Sequence, residues 1–283
     1  MYAARAFLLT SIIVSGFTTM VAAQQGDAWG TPENLSHSGV ASAPVVVPQP
    51  GGAYRAFWWD AIDGLTVAEG APGEWSEPAT MPIYIVEVLD RPLADGTEAL
   101  FLPVDAMPRI VGDPEGNAHA FWIAEPEEDS RATPLMYAQM PAGRASWSNA
   151  RVVAESAAGF DVAIDSDGWL YLAYSRNIHT PNAPSAIVFQ RSNSGGDRWG
   201  GASTIDSSLY YRTTLAKTLG IRIAADAEGL VVLTWNDPTT GQGRLAQSED
   251  LGDTWSEVAV LGDDDASAAN ARAFIVQQGT QEE

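Results

Sequence analysis

A glycine followed six residues later by a large aromatic, four times over in one sequence context, constrains this chain more than any other feature. The pairs are Gly52 and Trp58, Gly116 and Trp122, Gly168 and Tyr174, and Gly229 and Trp235. Each lies in a segment (44–60, 108–125, 160–177 and 221–237) that reads as a short apolar strand, a tight turn and a second apolar strand. Three of the turns have the form Asp-x-acid-Gly: Asp113 to Gly116, Asp165 to Gly168 and Asp226 to Gly229. Aspartate bonds its own backbone two residues on and glycine accepts positive φ, so both suit a hairpin. Each unit then runs through another short strand to a second tryptophan (Trp75, Trp147, Trp199 or Trp255) and an extended, half-apolar tail. Three or four short antiparallel strands per unit, with no competing helical period, predict an all-β chain built as β-propeller blades, with four clear units. A two-sheet sandwich would not require the same turn and the same tryptophan in every unit.

The second tryptophans carry a resemblance. Ser248 to Trp255 reads Ser-Glu-Asp-Leu-Gly-Asp-Thr-Trp, a complete Asp-box, and Ser192 to Trp199 is a second copy with Ser194 in place of the aspartate. Ahead of Trp75 and Trp147 the motif is gone, and Ala68 and Met140 hold the serine position. The chain thus resembles the bacterial-neuraminidase-repeat propellers, to which sialidases belong. The resemblance implies that the box lies in the hairpin between the third and fourth strands of a blade, far from the active site. Ser248, Asp250, Gly252, Thr254 and Trp255, with Ser192, Gly196 and Trp199, are therefore expected to be structural: carboxylate and hydroxyl satisfy turn amides while tryptophan packs between blades.

Catalytic sialidases grip the substrate carboxylate with three arginines and use a tyrosine nucleophile activated by a glutamate, with an aspartate as acid/base. Their first arginine lies in an Arg-Ile-Pro motif ten residues before the first hairpin glycine. Here those positions are Ser42, Ala106, Ala158 and Leu219. Arg109-Ile110 and Arg222-Ile223 are similar, but each arginine lies seven before its glycine, and Val111 or Ala224 replaces the proline. On an alternating strand a shift of three reverses the face, so both arginines are expected to point away from such a site. Tyr211, Arg212 and Arg222 remain as candidate catalytic residues, the first two within Tyr210-Tyr211-Arg212 near the start of the fourth unit. An aromatic strand end with an exposed charge is the competing reading of that tripeptide.

Composition removes other chemistries. Without cysteine there are no disulfides, thiolate metal sites or cysteine nucleophiles. With 15 basic against 36 acidic residues and one lysine, Lys217, the chain would repel nucleic acid and anionic lipid. His37, His119 and His179 form no i, i+4 pair, so no metal centre is expected. The Asp-x-acid-Gly turns show calcium only three or four ligands each, which favours the hairpin reading and no cofactor.

Arg5 is the only charge before an apolar stretch over 6–23, and Val21-Ala22-Ala23 precedes Gln24 as a signal-peptidase site would. The expectation is a signal peptide over 1–23, with an N-terminal anchor as the alternative, and one propeller domain over 24–283 in a secreted or extracytoplasmic protein. Trp29 to Leu35 matches the post-tryptophan tail and reads as the outer strand of a blade completed from elsewhere; Ala271 to Gln277 offers one strand. Two further apolar strands, 82–89 and 98–103, either extend the first blade or form a degenerate extra one. The ring is thus expected to have four to six blades, closed or incomplete. Its function is expected to be recognition of an extracellular glycan or protein ligand at the mouth of the ring. An active exo-sialidase or other glycoside hydrolase with a rearranged site is the alternative from another class, and a purely structural module a third. An arginine cluster at the mouth would favour the enzyme, and a flat, acidic, aromatic mouth would favour recognition.

Overall fold

A computed structural model describes residues 32–81, 83, 90–92, 98–100, 108–124, 133–176, 185–208, 219–237 and 240–262, and in them the repeat becomes four antiparallel sheets. The first blade orders β1 (Ala41–Pro48), β2 (Tyr54–Asp60), β3 (Gly64–Ala71) and β4 (Glu74–Trp75), with β5 (Ala79–Thr80) also pairing β3. A separate two-stranded sheet of β6 (Asp90–Pro92) and β7 (Glu98–Leu100) follows. The second blade is β8 (Arg109–Gly112), β9 (Ala118–Ile123), β10 (Leu135–Met140) and β11 (Arg151–Ala154). The third is β12 (Ala157–Ile164), β13 (Leu170–Arg176), β14 (Ser185–Ser192) and β15 (Ser203–Ser208). The fourth is β16 (Arg222–Ala225), β17 (Val231–Asn236), β18 (Gly243–Ser248) and β19 (Ala259–Leu261).

The first strands of the blades pack against one another in the order β1, β8, β12, β16, so they line the inside of an arc from which the sheets fan outward. β1 packs directly on β8, and β6 and β7 pair only with each other; of the further strands expected over 82–89 and 98–103, residues 101–103 lie outside the described residues. Residues 82, 84–89, 29–31 and 271–277, invoked for further strands, lie outside the described residues, and 32–40 carry no strand.

Strand register explains why the aromatics recur. Two rows of side chains cross each blade on opposite faces. One row reads Val45–Phe57–Val67, Arg109–Phe121–Tyr137, Asp161–Ala173–Phe189 and Arg222–Thr234–Leu245 in the successive blades. The adjacent row, on the other face, starts at Val46, Ile110, Val162 or Ile223, and the last three are buried in core clusters shared with the preceding blade. Trp58, Trp122, Tyr174 and Trp235 lie on this second face and are only 4%, 1%, 5% and 1% exposed. Each large ring buries ~150–250 Å², roughly 4–6 kcal/mol of gross transfer free energy, which makes the interfaces between blades the main store of stability.

Turns and tryptophans lock neighbouring blades. Asp113 Oδ1 accepts the Glu115 and Asn117 amides at 3.0 and 2.8 Å, and Asp165 and Asp226 do the same in their own hairpins. These carboxylates are thus engaged by turn amides, as the hairpin reading requires. The second tryptophan of each later blade rests on the blade before it: Trp147 on Phe57, Trp199 on Phe121 and Trp255 on Phe189, with ring centroids 5.7, 5.9 and 5.0 Å apart. Side chains also reach forward to a carbonyl in the next blade's outer turn. Arg55 Nη2 donates to Arg144 O at 3.1 Å, Tyr137 Oη to Gly195 O at 2.6 Å and Arg191 Nη1 to Leu251 O at 2.5 Å.

Candidate functional site

The position seven before each hairpin glycine is held by Val45, Arg109, Asp161 and Arg222. All four stand on inner strands in the row that reaches toward the next blade, so the charged three meet near the axis of the arc. Arg109 Nη2 donates to Asp161 Oδ1 at 2.7 Å. The same carboxylate accepts the Val162 amide at 2.8 Å on Oδ1 and the Ile223 amide at 3.1 Å on Oδ2, tying the second, third and fourth blades together. Arg222 Nη1 donates to Ile221 O at 2.7 Å, and its charge also acts on Asp161. Asp161 is 1% exposed, whereas the Arg109 side chain is 46% exposed. Burial pushes the Asp161 carboxyl up; Arg109, the two amides and Arg222 pull it down, and burial prevails.

Arg109 and Arg222 lie on the face opposite to that of a residue ten before the glycine, as strand alternation predicts, and that face is not idle. In a radial arrangement both faces of an inner strand look at another inner strand, so the reversed face still meets the axis. Asp161 carries no motif of its own in the sequence; its place seven before Gly168 matches that of Arg109 and Arg222 before their glycines. At the same end of the sheets, Asp60 accepts the Ile62 and Asp63 amides, and Arg244 Nε donates to Asp237 Oδ2 at 3.0 Å. Tyr211 and Arg212 lie outside the described residues.

The Ser248–Trp255 segment of the fourth blade is a closed hydrogen-bonding unit at the outer turn. Ser248 Oγ donates to Asp250 Oδ1 at 2.7 Å and accepts the Gly252 amide at 2.8 Å; Thr254 gives its amide to Asp250 Oδ1 at 2.8 Å and its hydroxyl to Oδ2 at 2.6 Å. The Thr254 hydroxyl and amide and the Ser248 hydroxyl hold the Asp250 carboxyl down at about 2. Trp255 Nε1 donates to Gly252 O at 3.1 Å. Gly252 has φ +93°, and a Cβ there would run into the Phe189 ring. In the third blade Ser192 Oγ accepts the Gly196 amide at 3.1 Å and Ser194 Oγ the Arg198 amide at 2.9 Å, so Ser194 substitutes for the missing carboxylate. A Cβ on Gly196 would meet the Tyr137 ring in the same way.

A second polar cluster resembles a relay but has no access for a substrate. His119 lies between Tyr137 Oη at 2.9 Å and Asp113 Oδ2 at 3.1 Å, and both His119 and Tyr137 are 0% exposed. Burial raises the Tyr137 phenol, which keeps it protonated and donating to Gly195 O. Among the described residues no group of three or more His, Asp or Glu side chains is placed to hold a metal ion. A cleft of about 510 Å³ opens between the end of the first blade and the Trp147 segment, and no described side chain lining it titrates. No helix of the described residues is long and apolar enough to cross a membrane.

No family model and no curated protein matches the sequence. Solved structures do. A Dyadobacter fermentans protein of unknown function is 12% identical with a TM-score of 0.51, over 79% of this chain and 70% of that one. An ulvan lyase of a polysaccharide lyase family is 12% identical with a TM-score of 0.43, over 78% of this chain and 55% of the lyase. The NanB sialidase from Streptococcus pneumoniae is 12% identical with a TM-score of 0.42, over 78% of this chain and 51% of the sialidase. The chain thus spans about half the length of those two enzymes, and at 12% identity the likeness to the Dyadobacter protein is one of fold alone.

Proposed function

We propose that this chain is a secreted or extracytoplasmic propeller that recognises a neutral, hydroxyl-rich glycan at the inner-strand end of its blades and does not cleave it. The Arg109–Asp161 pair carries the reading. A general acid or base must come within about 3 Å of the oxygen it serves, but Asp161 is 1% exposed and both its oxygens accept bonds from the protein. Arg109, by contrast, keeps a half-exposed guanidinium whose charge Asp161 balances. It offers directional N–H donors with little net field, which suits sugar hydroxyls better than a sugar carboxylate. The net charge of −21 opposes an anionic ligand in the same sense. A separate cleft beside Trp147, away from the inner strands, has Thr80, Ser148 and Asn149 in its lining and offers a mixed aromatic and hydroxyl surface of the kind that sugars pack on.

Calorimetric titration of the purified chain with neutral and sialylated oligosaccharides tests this. A neutral oligosaccharide should bind, with binding lost in Arg109→Ala, and a fluorogenic sialoside should stay intact. Release of sialic acid above a buffer blank, abolished by Arg222→Ala or Arg212→Ala, would move the chain to the hydrolases. Capture of a protein and of no oligosaccharide would move it to protein recognition.

A further inference from the structure

The buried cluster of the second blade is one hydrogen short if its histidine is neutral. Three contacts run in series: Asp113 Oδ2 to His119 Nε2 at 3.1 Å, His119 Nδ1 to Tyr137 Oη at 2.9 Å, and Tyr137 Oη to Gly195 O at 2.6 Å. Both ends, a carboxylate and a carbonyl, only accept, so all three hydrogens must come from the two groups between them. The phenol supplies one. A neutral imidazole supplies one more and leaves two bare acceptors facing each other, whereas an imidazolium supplies two and completes the series. Asp113 is a poor seat for the missing hydrogen, because its Oδ1 already accepts the Glu115 and Asn117 amides and its Oδ2 accepts Asn117 Nδ2 at 2.6 Å. The Asn117 side chain is fixed in that orientation by the Ala142 amide, which donates to its Oδ1 at 2.9 Å.

The other interfaces show what this series replaces. The forward contact to the next blade's outer turn is made by Arg55 from the first blade and by Arg191 from the third, permanent cations in both cases. In the second blade a phenol makes it, with His119 behind the phenol. We infer that His119 is held as an imidazolium and that its second ring hydrogen closes the Tyr137–Gly195 contact, which makes this the one forward contact of the three that a proton can open. When that proton leaves for solvent, Nε2–H stays on the carboxylate, Tyr137 turns its hydrogen from Gly195 O to Nδ1, and the carbonyl loses its donor. Few charges face the ring. Asp113 on its own hairpin favours the cation; Arg151 on β11 lies 5.3 Å from the centre of the Tyr137 ring and is paired with Asp197 of the third blade's outer turn at 3.2 Å. Its strand partners are the uncharged Val111 of β8 and Gln139 of β10, and β12 and β13 of the third blade bring Val162, Leu170 and Leu172 to the same core cluster as Tyr137.

Nuclear magnetic resonance of the full chain, labelled at histidine ring nitrogens, glycine carbonyls and aspartate carboxyls, tests this from about pH 5 upward until the His119 change is complete. His119, identified by its loss in His119→Gln, should carry hydrogens on both ring nitrogens, and the loss of one should coincide with a shift of the Gly195 carbonyl. In Tyr137→Phe, where Nδ1 has no partner to serve, the second hydrogen should leave at lower pH than in the parent. A singly protonated ring with the Gly195 carbonyl still bonded, or a protonated Asp113 carboxyl alongside it, would overturn the inference. So would a second hydrogen lost at the same pH in Tyr137→Phe as in the parent.

Discussion

Replacing Asp161 with asparagine asks whether the axial carboxylate is a clamp or a group kept for chemistry. Asparagine has one acceptor oxygen where aspartate has two. The better orientation keeps that oxygen on Arg109 and the Val162 amide and turns the NH2 onto the Ile223 amide, donor against donor, at a site where the native contact is 3.1 Å. An orphaned buried amide costs about 1–3 kcal/mol. Loss of a buried charge returns part of its desolvation cost, while Arg109, 46% exposed, regains water when its partner is neutral. The net expectation at pH 7 is a loss of about 1–3 kcal/mol, or a melting temperature lower by about 2–12 °C for a chain of this size. The pH dependence has a definite sign. Burial raises the folded carboxyl above its ordinary 3.8, so the native state binds this proton more tightly than the unfolded chain does. The Asp161 contribution is fully present below pH 3.8 and declines as pH rises through the folded value, a slope that Asp161→Asn removes. The gap between parent and variant should therefore narrow toward higher pH in thermal melts followed by circular dichroism from pH 3 to 8. A variant as stable as the parent at pH 7, or more so, would refute the clamp and with it the case against an acid/base role.

Trp235→Ala, at a ring 1% exposed between the third and fourth blades, should cost about 3–5 kcal/mol in denaturant unfolding; Trp255→Ala, at a half-buried ring, should cost less. Gly252→Ala combines positive φ with a Cβ against Phe189 and should lose about 2–4 kcal/mol, whereas Gly241→Ala, with φ +72° and nothing near the added Cβ, should lose only the backbone part; paired thermal melts separate the two. Burial works to raise Asp113, but bonds from His119 and Asn117 outweigh it and hold its carboxyl low. Its stabilisation is thus present above pH 3.8 and lost as pH falls through the folded value, and Asp113→Ala should flatten the acid limb of the stability curve between about pH 5 and 2.

The hairpins are legible in the sequence because they need residues of rare type at fixed places. Gly116, Gly168 and Gly229 sit at φ +87°, +80° and +105°, and the aromatic six residues on fills the same interface each time. The axial carboxylate is less legible, since one acid among 36 carries no mark of its own. Only the column seven before the glycines, read across blades, sets Asp161 beside Arg109 and Arg222. Strand alternation placed those arginines on the correct face, but which neighbour that face meets depends on how sheets are arranged around an axis. Arg55, Tyr137 and Arg191 were beyond reach for a related reason: the carbonyl each one finds belongs to a turn in another blade.

Those three forward-reaching donors give the arc a direction. Synthesis delivers each donor before the carbonyl that receives it, so a nascent chain ending at Ala154 would hold the Tyr137 hydroxyl beside a surface awaiting the turn at Gly195. Each of the first three blades is then finished only by its successor, and the docking face moves along the chain as the ribosome advances. A pause in translation between blades would leave one such face, and only that one, open to a chaperone or to another chain.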